Sequence, residues 1–176
     1  MKVTSGIRKG ALLQTAEDLS VRPTTDKVKQ AIFNMIQFEI PGRTALDLFA
    51  GSGALGIEAL SRGARHCTFV DIQPGIVKKN IEKLRFAELS RIVRTDYLSF
   101  LEQCDTAFDL VFLDPPYQKG MLSKALEALV QRNLLLPGSL IVWEYDTGEE
   151  ISVPEEIRII KERNFGRVQI RIGAFE

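Results

Sequence analysis

Residues 44–56 read Thr44-Ala45-Leu46-Asp47-Leu48-Phe49-Ala50-Gly51-Ser52-Gly53-Ala54-Leu55-Gly56, and they give the clearest indication of the fold class. Its apolar start predicts a buried strand, and Ile57-Glu58-Ala59-Leu60 after it predicts a helix. The glycines fit the pattern G-x-G-x-x-G at the strand-to-helix junction, where glycine allows a tight turn and close approach of a ligand. The stretch therefore predicts the first strand, turn and helix of a parallel α/β sheet.

The next predicted strand, Cys67-Thr68-Phe69-Val70, ends in an acid. This residue is Asp71, twenty positions after Gly51. An acid at this place in a nucleotide-binding fold can accept hydrogen bonds from the hydroxyls of a ribose. The two segments together predict an adenosine-containing cofactor at the carboxyl edge of the sheet.

Two acids favour S-adenosylmethionine over NAD as that cofactor. Asp47 lies at the strand end, where it would attract a cationic methionine group and repel a pyrophosphate. Asp96 follows the third apolar run, residues 92–95, and is placed to receive an adenine amino group. Its alternative role is to cap the helix that begins near Tyr97, and the two roles are compatible.

The second informative motif is Asp114-Pro115-Pro116-Tyr117, which follows the predicted strand Phe108–Leu113. The prolines fix φ and remove two backbone donors, so nearby carbonyls stay available as acceptors. The carboxylate adds an acceptor and the tyrosine a flat face for stacking. This combination suits the exocyclic amino group of a planar base, and the alternative is a Pro-Pro loop that merely ends the strand.

The rest of the chain continues the alternation of helices and strands and ends in an antiparallel pair. The pattern predicts four further helices, over 24–38, Ile76–Ala87, Tyr97–Cys104 and Met121–Val130. It predicts a strand Ser139–Glu144 after a Pro137-Gly138 turn. The last two predicted strands, Ile157–Lys161 and Arg167–Ile172, are joined by a turn at 164–166.

The first 30 residues are basic, although the whole chain has no net charge. They contain six basic and three acidic side chains, a net charge of +3. Turn signals at Ser5-Gly6 and Lys9-Gly10 predict a short β-hairpin or arm, and Thr24 or Thr25 is placed to cap the helix that follows. We expect a basic arm over 1–22 that holds phosphates, and the alternative is a solvated charged segment.

Composition agrees with one globular domain. The 176 residues are 45% hydrophobic and 26% charged, and no apolar run is long enough to span a membrane. We expect a cytoplasmic protein without a signal peptide, whose Cys67 and Cys104 are buried thiols. With His66 as its one histidine, a metal site is not expected.

Three blocks of this sequence together resemble a known family. They are the block Asp47–Gly53, the block Asp114–Tyr117, and Arg22-Pro23-Thr24-Thr25-Asp26-Lys27-Val28-Lys29-Gln30-Ala31-Ile32-Phe33-Asn34. In this order and spacing they resemble the S-adenosylmethionine-dependent methyltransferases that modify N2 of one guanine in bacterial 16S ribosomal RNA. One departure is Ala11, which stands where that family usually has a second arginine after Gly10, so we expect a weaker grip on RNA at this turn.

The resemblance implies a seven-stranded Rossmann-like methyltransferase sheet, mostly parallel with an antiparallel last strand, over residues 23–176. It implies S-adenosylmethionine as cofactor and a guanine of 16S rRNA in an assembled or assembling small subunit as substrate. We expect a monomer, because nothing in the sequence demands a dimer. The catalytic residues implied are Asp114, Pro115 and Tyr117. The cofactor-binding residues implied are Asp47, Phe49, Ala50, Gly51, Gly53, Asp71, Ile72, Asp96, Tyr97 and Asp114. From the basic charge of the first 30 residues, the RNA-binding residues that we expect are Arg8, Lys9, Arg22 and Lys27.

Three other functions remain open from the residues alone. A DNA adenine-N6 methyltransferase shares the Asp-Pro-Pro-Tyr motif, but the chain has no evident insertion for target recognition. An NAD-dependent oxidoreductase fits the glycine loop. A non-enzymatic RNA-binding module fits the fold, although the intact glycine loop and Asp-Pro-Pro-Tyr motif argue against it.

Overall fold

The computed structural model describes residues 1–17, 25–116 and 120–176. Its strands are β1 Thr44–Asp47, β2 His66–Asp71, β3 Ser90–Arg94, β4 Phe108–Leu113, β5 Leu135–Asp146, β6 Ile157–Phe165 and β7 Val168–Phe175. Its α-helices are α1 Asp26–Ile36, α2 Ala54–Ser61, α3 Gly75–Leu84, α4 Tyr97–Gln103 and α5 Met121–Gln131. The strands form a single seven-stranded sheet in the order β3-β2-β1-β4-β5-β7-β6.

In this sheet β7 runs in the direction opposite to the other six strands. The predicted mostly parallel sheet with an antiparallel last strand is therefore confirmed. The chain builds outward from β1 to β3, then returns to place β4 on the other side of β1. Ligands of open α/β sheets bind at the carboxyl ends of the strands where the order reverses in this way. The fold thus places the site at the ends of β1 and β4.

Helices cover both faces of the sheet. Helices α1, α2 and α3 pack with β-strand residues such as Leu110 and Phe112, and α4 and α5 pack on the opposite face with residues such as Val111 and Leu113. Neighbouring strand residues alternate between the two faces, as strand geometry requires. Trp143 lies fully buried on the α4–α5 side.

Several predicted boundaries were wrong by a few residues. Helix α3 ends at Leu84 rather than Ala87, because Arg85 adopts a left-handed conformation with φ of 59°, and a separate 3-10 helix spans Ala87–Leu89. Strand β5 begins at Leu135, so the expected Pro137-Gly138 turn lies within the strand, opposite an irregular register in β4. Cys67 is buried as predicted, whereas Cys104 is only half-buried.

The described part of the N-terminal arm folds back on itself and packs on the helices. One antiparallel bridge joins Lys2 to Leu12, and the Val3 amide donates to the Ala11 carbonyl at 2.9 Å. Val3 and Leu13 lie in the same apolar core as α1, α2 and α3. The arm is thus a narrow loop with a single bridge. The expected boundary at residue 22 lies outside the described residues and stays a prediction.

A buried ion pair fastens this arm to the domain. Glu58 in α2 and Lys29 in α1 are both fully buried, with 3.2 Å between their charged atoms. Glu58 also accepts hydrogen bonds from the Thr4 amide at 3.0 Å, the Thr4 hydroxyl at 2.7 Å and the Ser5 amide at 3.1 Å. One carboxylate therefore holds the arm, α1 and α2 together, because a buried charge of this kind needs several partners.

None of the helices in the described ranges has the length and apolarity that crossing a membrane requires. Across the same residues, no group of three or more His, Cys, Asp or Glu side chains is placed to hold a metal ion.

Candidate cofactor and base-binding site

The loop after β1 is tied to both neighbouring strands. The Leu48 amide donates to the Phe112 carbonyl of β4 at 3.2 Å, and the Ala50 amide donates to the Val70 carbonyl of β2 at 2.9 Å. These two bonds fix the loop between the ends of β2 and β4. They bring Asp47, Asp71 and Asp114 to one edge of the sheet, as the sequence predicts.

Asp71 is bound directly to the glycine loop. Its Oδ2 accepts a hydrogen bond from the Gly51 amide at 2.7 Å, and its Oδ1 accepts one from the Gln73 amide at 2.8 Å. A carboxylate has about four lone-pair sites, so each oxygen can accept a further donor. The two hydroxyls of a ribose are donors that suit these remaining positions.

The loop glycines serve two different purposes. Gly51 has a φ of +56° and is exposed, and a side chain there would meet no atom within 4 Å. This glycine therefore leaves the outer surface of the loop open. Gly53 is buried with a φ of +80°, and a Cβ on it would lie 2.5 Å from Val77. Its lack of a side chain is needed for packing of α2 against α3.

Asp47 lies beneath the glycine loop and is only 1% exposed. Its Oδ2 accepts a hydrogen bond from the Gly56 amide at 3.0 Å. Burial raises the pKa of Asp47 to about 7, although the Gly56 hydrogen bond opposes this rise and the charge of Asp71 adds to it. The carboxyl is thus placed where a nearby cation would favour its ionised form. Its expected contact with a methionine group stays a prediction.

The residues around Asp96 form the outer part of the candidate site. Asp96 caps α4, since its carboxylate accepts hydrogen bonds from the Ser99 amide at 2.9 Å and the Ser99 hydroxyl at 2.6 Å. The capping role is therefore confirmed. The rings of Phe49 and Tyr97 lie 5.1 Å apart, and Ile72 is 63% exposed beside Asp71. These apolar groups beside polar ones are typical of a pocket for a planar base.

The Asp-Pro-Pro-Tyr motif begins immediately after β4. Asp114 is half-buried and has contacts within the protein, Pro115 is buried and Pro116 is exposed. Tyr117 lies outside the described residues, so its stacking role stays a prediction. The Asp114 carboxylate and the Pro115 carbonyl are both acceptors, as binding of an amino group requires.

The predicted RNA-binding residues have different surroundings. Arg8 donates from Nε to the Leu84 carbonyl at 2.8 Å, and its guanidinium lies 5.7 Å from the Phe86 ring centroid. Lys9 is exposed at the end of the arm loop, and Lys27 is exposed at the start of α1. Arg22 lies outside the described residues. Arg8 thus has a structural role that the sequence did not predict.

A cleft of about 430 Å³ opens between the start of α1 and the β6–β7 turn. It is lined by Thr25, Lys27, Glu144 and Phe165, among others. Glu144 is 5% exposed and is not among the residues predicted to form a site. The available signal was an acid at the end of an apolar strand, the same signal that identified Asp71 and Asp114.

The residues at this edge fit S-adenosylmethionine. The open surface above Gly51 leaves room for a ligand against the backbone, and Asp71 supplies acceptors for a ribose. The aromatic pair Phe49 and Tyr97 supplies apolar surface for adenine, and Asp47 is an acid on the side of β1 where a cationic group is expected.

Comparison with known proteins agrees with this assignment. Residues 1–174 match a sequence family described as Conserved hypothetical protein 95. The chain is 43% identical over 165 residues to YlbH of Bacillus subtilis, a candidate rRNA methyltransferase, covering 89% of this chain and 88% of YlbH. It is 34% identical to ribosomal RNA small subunit methyltransferase D of Haemophilus influenzae, covering 98% of this chain and 92% of that protein.

A solved structure has the same fold. The Escherichia coli protein yhhF, whose structure is described as that of a candidate methyltransferase, superposes with a TM-score of 0.91 and 33% sequence identity. The match covers 100% of this chain and 98% of yhhF.

These comparisons confirm the predicted family, the class of enzyme and the S-adenosylmethionine cofactor. They leave the individual site residues as predictions. The chain belongs to the Conserved hypothetical protein 95 family and is related over nearly its whole length to ribosomal RNA small subunit methyltransferase D.

Proposed function

We propose that this enzyme methylates the exocyclic N2 amino group of one guanine in 16S ribosomal RNA, with S-adenosylmethionine as the methyl donor. The observation that carries the proposal is the position of Asp114 and Pro115. They follow β4 directly, beside the β1 loop that is suited to the cofactor. The relationship to ribosomal RNA small subunit methyltransferase D supports ribosomal RNA as the substrate.

The cofactor supplies an electrophilic methyl group, and this chain's residues position the acceptor. Asp114 and the Pro115 carbonyl accept hydrogen bonds from the two N–H groups of guanine N2, which directs the nitrogen lone pair toward the methyl site. Tyr117 stacks on the base. Positioning of this kind contributes up to roughly 7–11 kcal/mol to lowering the barrier.

The proton balance requires no strong base. The new N–C bond forms as the bond between the methyl group and the sulfonium sulfur breaks, with its electron pair staying on sulfur in S-adenosylhomocysteine. The amino nitrogen thereby becomes positively charged and acidic, and it then releases one proton. Asp114 is close enough to accept this proton, and water can also do so. Its first role is therefore to orient the amino group, and accepting the proton is secondary.

The basic arm and Lys27 supply contacts to phosphates around the target base. These basic side chains are few, and the chain as a whole has no net charge. Phosphate contacts position an RNA without selecting its sequence. We therefore propose that the folded small-subunit particle supplies part of the recognition, that the enzyme acts as a monomer, and that it acts in the cytoplasm, where such particles assemble.

The test is transfer of tritiated methyl groups to three acceptors: unmodified small ribosomal subunits, free 16S RNA and adenine-rich duplex DNA. We expect N2-methylguanosine in the subunits after nucleoside analysis. N6-methyladenine in DNA would contradict the proposal and indicate the alternative enzyme with the same Asp-Pro-Pro-Tyr motif.

A further inference from the structure

The cleft beside α1 is lined by Glu144 of β5, and β5 is the neighbour of β4, the strand that leads into Asp114. Leu113 of β4 pairs in register with Trp143 of β5. Glu144 is the next residue of β5, and Asp114 is the first residue after β4. Such strands lie about 4.8 Å apart. A base whose amino group reaches Asp114 therefore has its neighbouring ring atoms close to Glu144.

Glu144 faces the cleft and not the opposite side of the sheet. Its neighbour Trp143 lies in the core under α4 and α5, whereas its antiparallel partner Ile170 lies in the core under α1. Side chains alternate along a strand, so Glu144 points toward the α1 side. The start of α1 and the β6–β7 turn enclose it there, and it is 5% exposed.

A carboxylate in this position distinguishes guanine from adenine. On guanine, the N1–H donor lies directly beside the N2 amino group. On adenine, N1 is an acceptor and would meet the carboxylate with its lone pair. Glu144 already has a contact within the protein, but a carboxylate has about four lone-pair sites and can accept an additional N–H.

We propose that Glu144 is the residue that selects guanine, by accepting the N1–H of the target base while Asp114 and Pro115 hold its N2 amino group. This inference rests on the proposed function and deepens it by naming how the base is recognised. In the complex, the cleft receives the Watson–Crick edge of a base that is turned out of its stack.

The base analogue 2-aminopurine provides a direct test, because it keeps the 2-amino group but has an acceptor at N1. It is placed at the mapped target position in 16S RNA by ligation, and the RNA is reconstituted into small subunits. We expect kcat/KM of the wild-type enzyme to favour guanine over 2-aminopurine by about 100-fold or more, since a site that binds a donor strongly rejects an analogue lacking it.

The Glu144→Gln variant is expected to reduce this preference at least tenfold, because its amide N–H can donate to N1 of 2-aminopurine. Glu144→Asp keeps the acceptor and should keep the preference with lower kcat/KM. Glu150→Gln makes the same chemical change at an exposed position after β5 and should leave the preference unchanged. Affinity for S-adenosylhomocysteine, measured by calorimetry, checks that each variant is folded.

Each outcome decides between the alternatives. If the wild-type enzyme methylates guanine and 2-aminopurine with equal kcat/KM, the inference is overturned and no variant is needed. A Glu144→Gln variant that loses activity equally on both bases also overturns it, because Glu144 then has only a structural role. If the wild-type enzyme forms no N2-methylguanosine in any acceptor, the proposed function itself fails and the inference with it.

Discussion

The Asp71 carboxylate accepts a 2.7 Å hydrogen bond from the Gly51 amide, so the end of β2 is joined directly to the loop that follows β1. One residue therefore holds the loop in place and offers acceptors to a ribose. Binding of the cofactor and the shape of its loop are consequently coupled through a single side chain.

Replacing Asp71 by Ala is expected to weaken S-adenosylmethionine binding by about 1–3 kcal/mol, because hydrogen bonds to a charged group are lost. Isothermal titration calorimetry measures this change. Asp71→Asn keeps one carbonyl oxygen and should have an intermediate effect. Unchanged affinity in both variants would mean that another group binds the ribose.

Replacing Asp114 by Ala is expected to abolish turnover while cofactor affinity stays near that of the wild type. The reason is that Asp114 contacts the acceptor amino group in the proposed mechanism. Methyl transfer to small subunits and titration with S-adenosylhomocysteine give the two measurements. The matched control is Asp105→Ala, an exposed position just before β4. A variant that lost cofactor binding alone would contradict the assigned role.

Asp47 should make the free energy of unfolding depend on pH. Its pKa is about 7 in the folded protein and 3.8 in the unfolded chain, so its contribution to stability is complete below about pH 4 and is lost as pH rises to 7. At about 1.36 kcal/mol per pH unit, this loss is at most about 4 kcal/mol.

The Asp47→Asn variant cannot ionise at this position, so it should not show this loss. Urea unfolding of both proteins at pH 4, 5, 6 and 7 is the measurement, with Asp105→Asn as the exposed control. We expect the variant to gain stability relative to the wild type as pH rises. Parallel stability curves would show that Asp47 is already ionised in the folded protein.

Replacing Glu58 by Ala is expected to destabilise the protein by about 3–5 kcal/mol, because buried Lys29 would lose its nearest carboxylate and keep only that of Asp26, at 3.9 Å. The arm should also detach, since Thr4 and Ser5 lose their acceptor. Thermal unfolding and amide hydrogen exchange of residues 3–13 measure both effects. Glu82→Ala, at an exposed position in α3, is the control and should change stability little.

Glu58 should also contribute to unfolding in acid. Burial alone raises the pKa of its carboxyl, but hydrogen bonds from Thr4, the charge of Lys29 and a hydrogen bond from Arg62 outweigh burial and lower it. The stabilisation is therefore present above the ordinary pKa near 4.5 and is lost as pH falls through the lower folded value. A shallower loss of stability in acid for Glu58→Gln would support this assignment.

Lys9 and Arg8 should differ in their effects on RNA binding. Lys9→Ala removes an exposed charge, so we expect weaker binding to 16S RNA and a salt dependence whose slope falls by about 1. Arg8→Ala removes contacts with Leu84 and Phe86 and should also lower the melting temperature. Equal salt slopes for wild type and Lys9→Ala would show that Lys9 contacts no phosphate.

Local patterns were sufficient to predict much of the molecule. The apolar runs and glycines around residues 44–56 predict β1, its turn and α2, and each later acid after an apolar run lies at the same edge of the sheet. Thr25 and Asp96 cap their helices as expected, because capping depends only on residues a few positions apart.

Contacts between distant parts of the chain could not be predicted in this way. The Glu58–Lys29 pair joins residues on two helices, and nothing in an amphipathic pattern indicates which buried charge meets which partner. The same holds for Arg8, whose partner Leu84 lies 76 positions away. The sequence also predicts the end of α3 at Ala87 instead of Leu84, since no strong local signal indicates that Arg85 is left-handed.

The alternation of helices and strands, the glycine loop and the acids at the strand ends can all be predicted from the sequence, because each depends on residues close together in the chain. Three features depend on the complete fold: the bond between Asp71 and Gly51, the burial of Asp47 beneath the loop, and the position of Glu144 in the cleft beside α1. The physical reason is that strand order and register set these distances, and both arise from packing of the whole sheet between its two layers of helices.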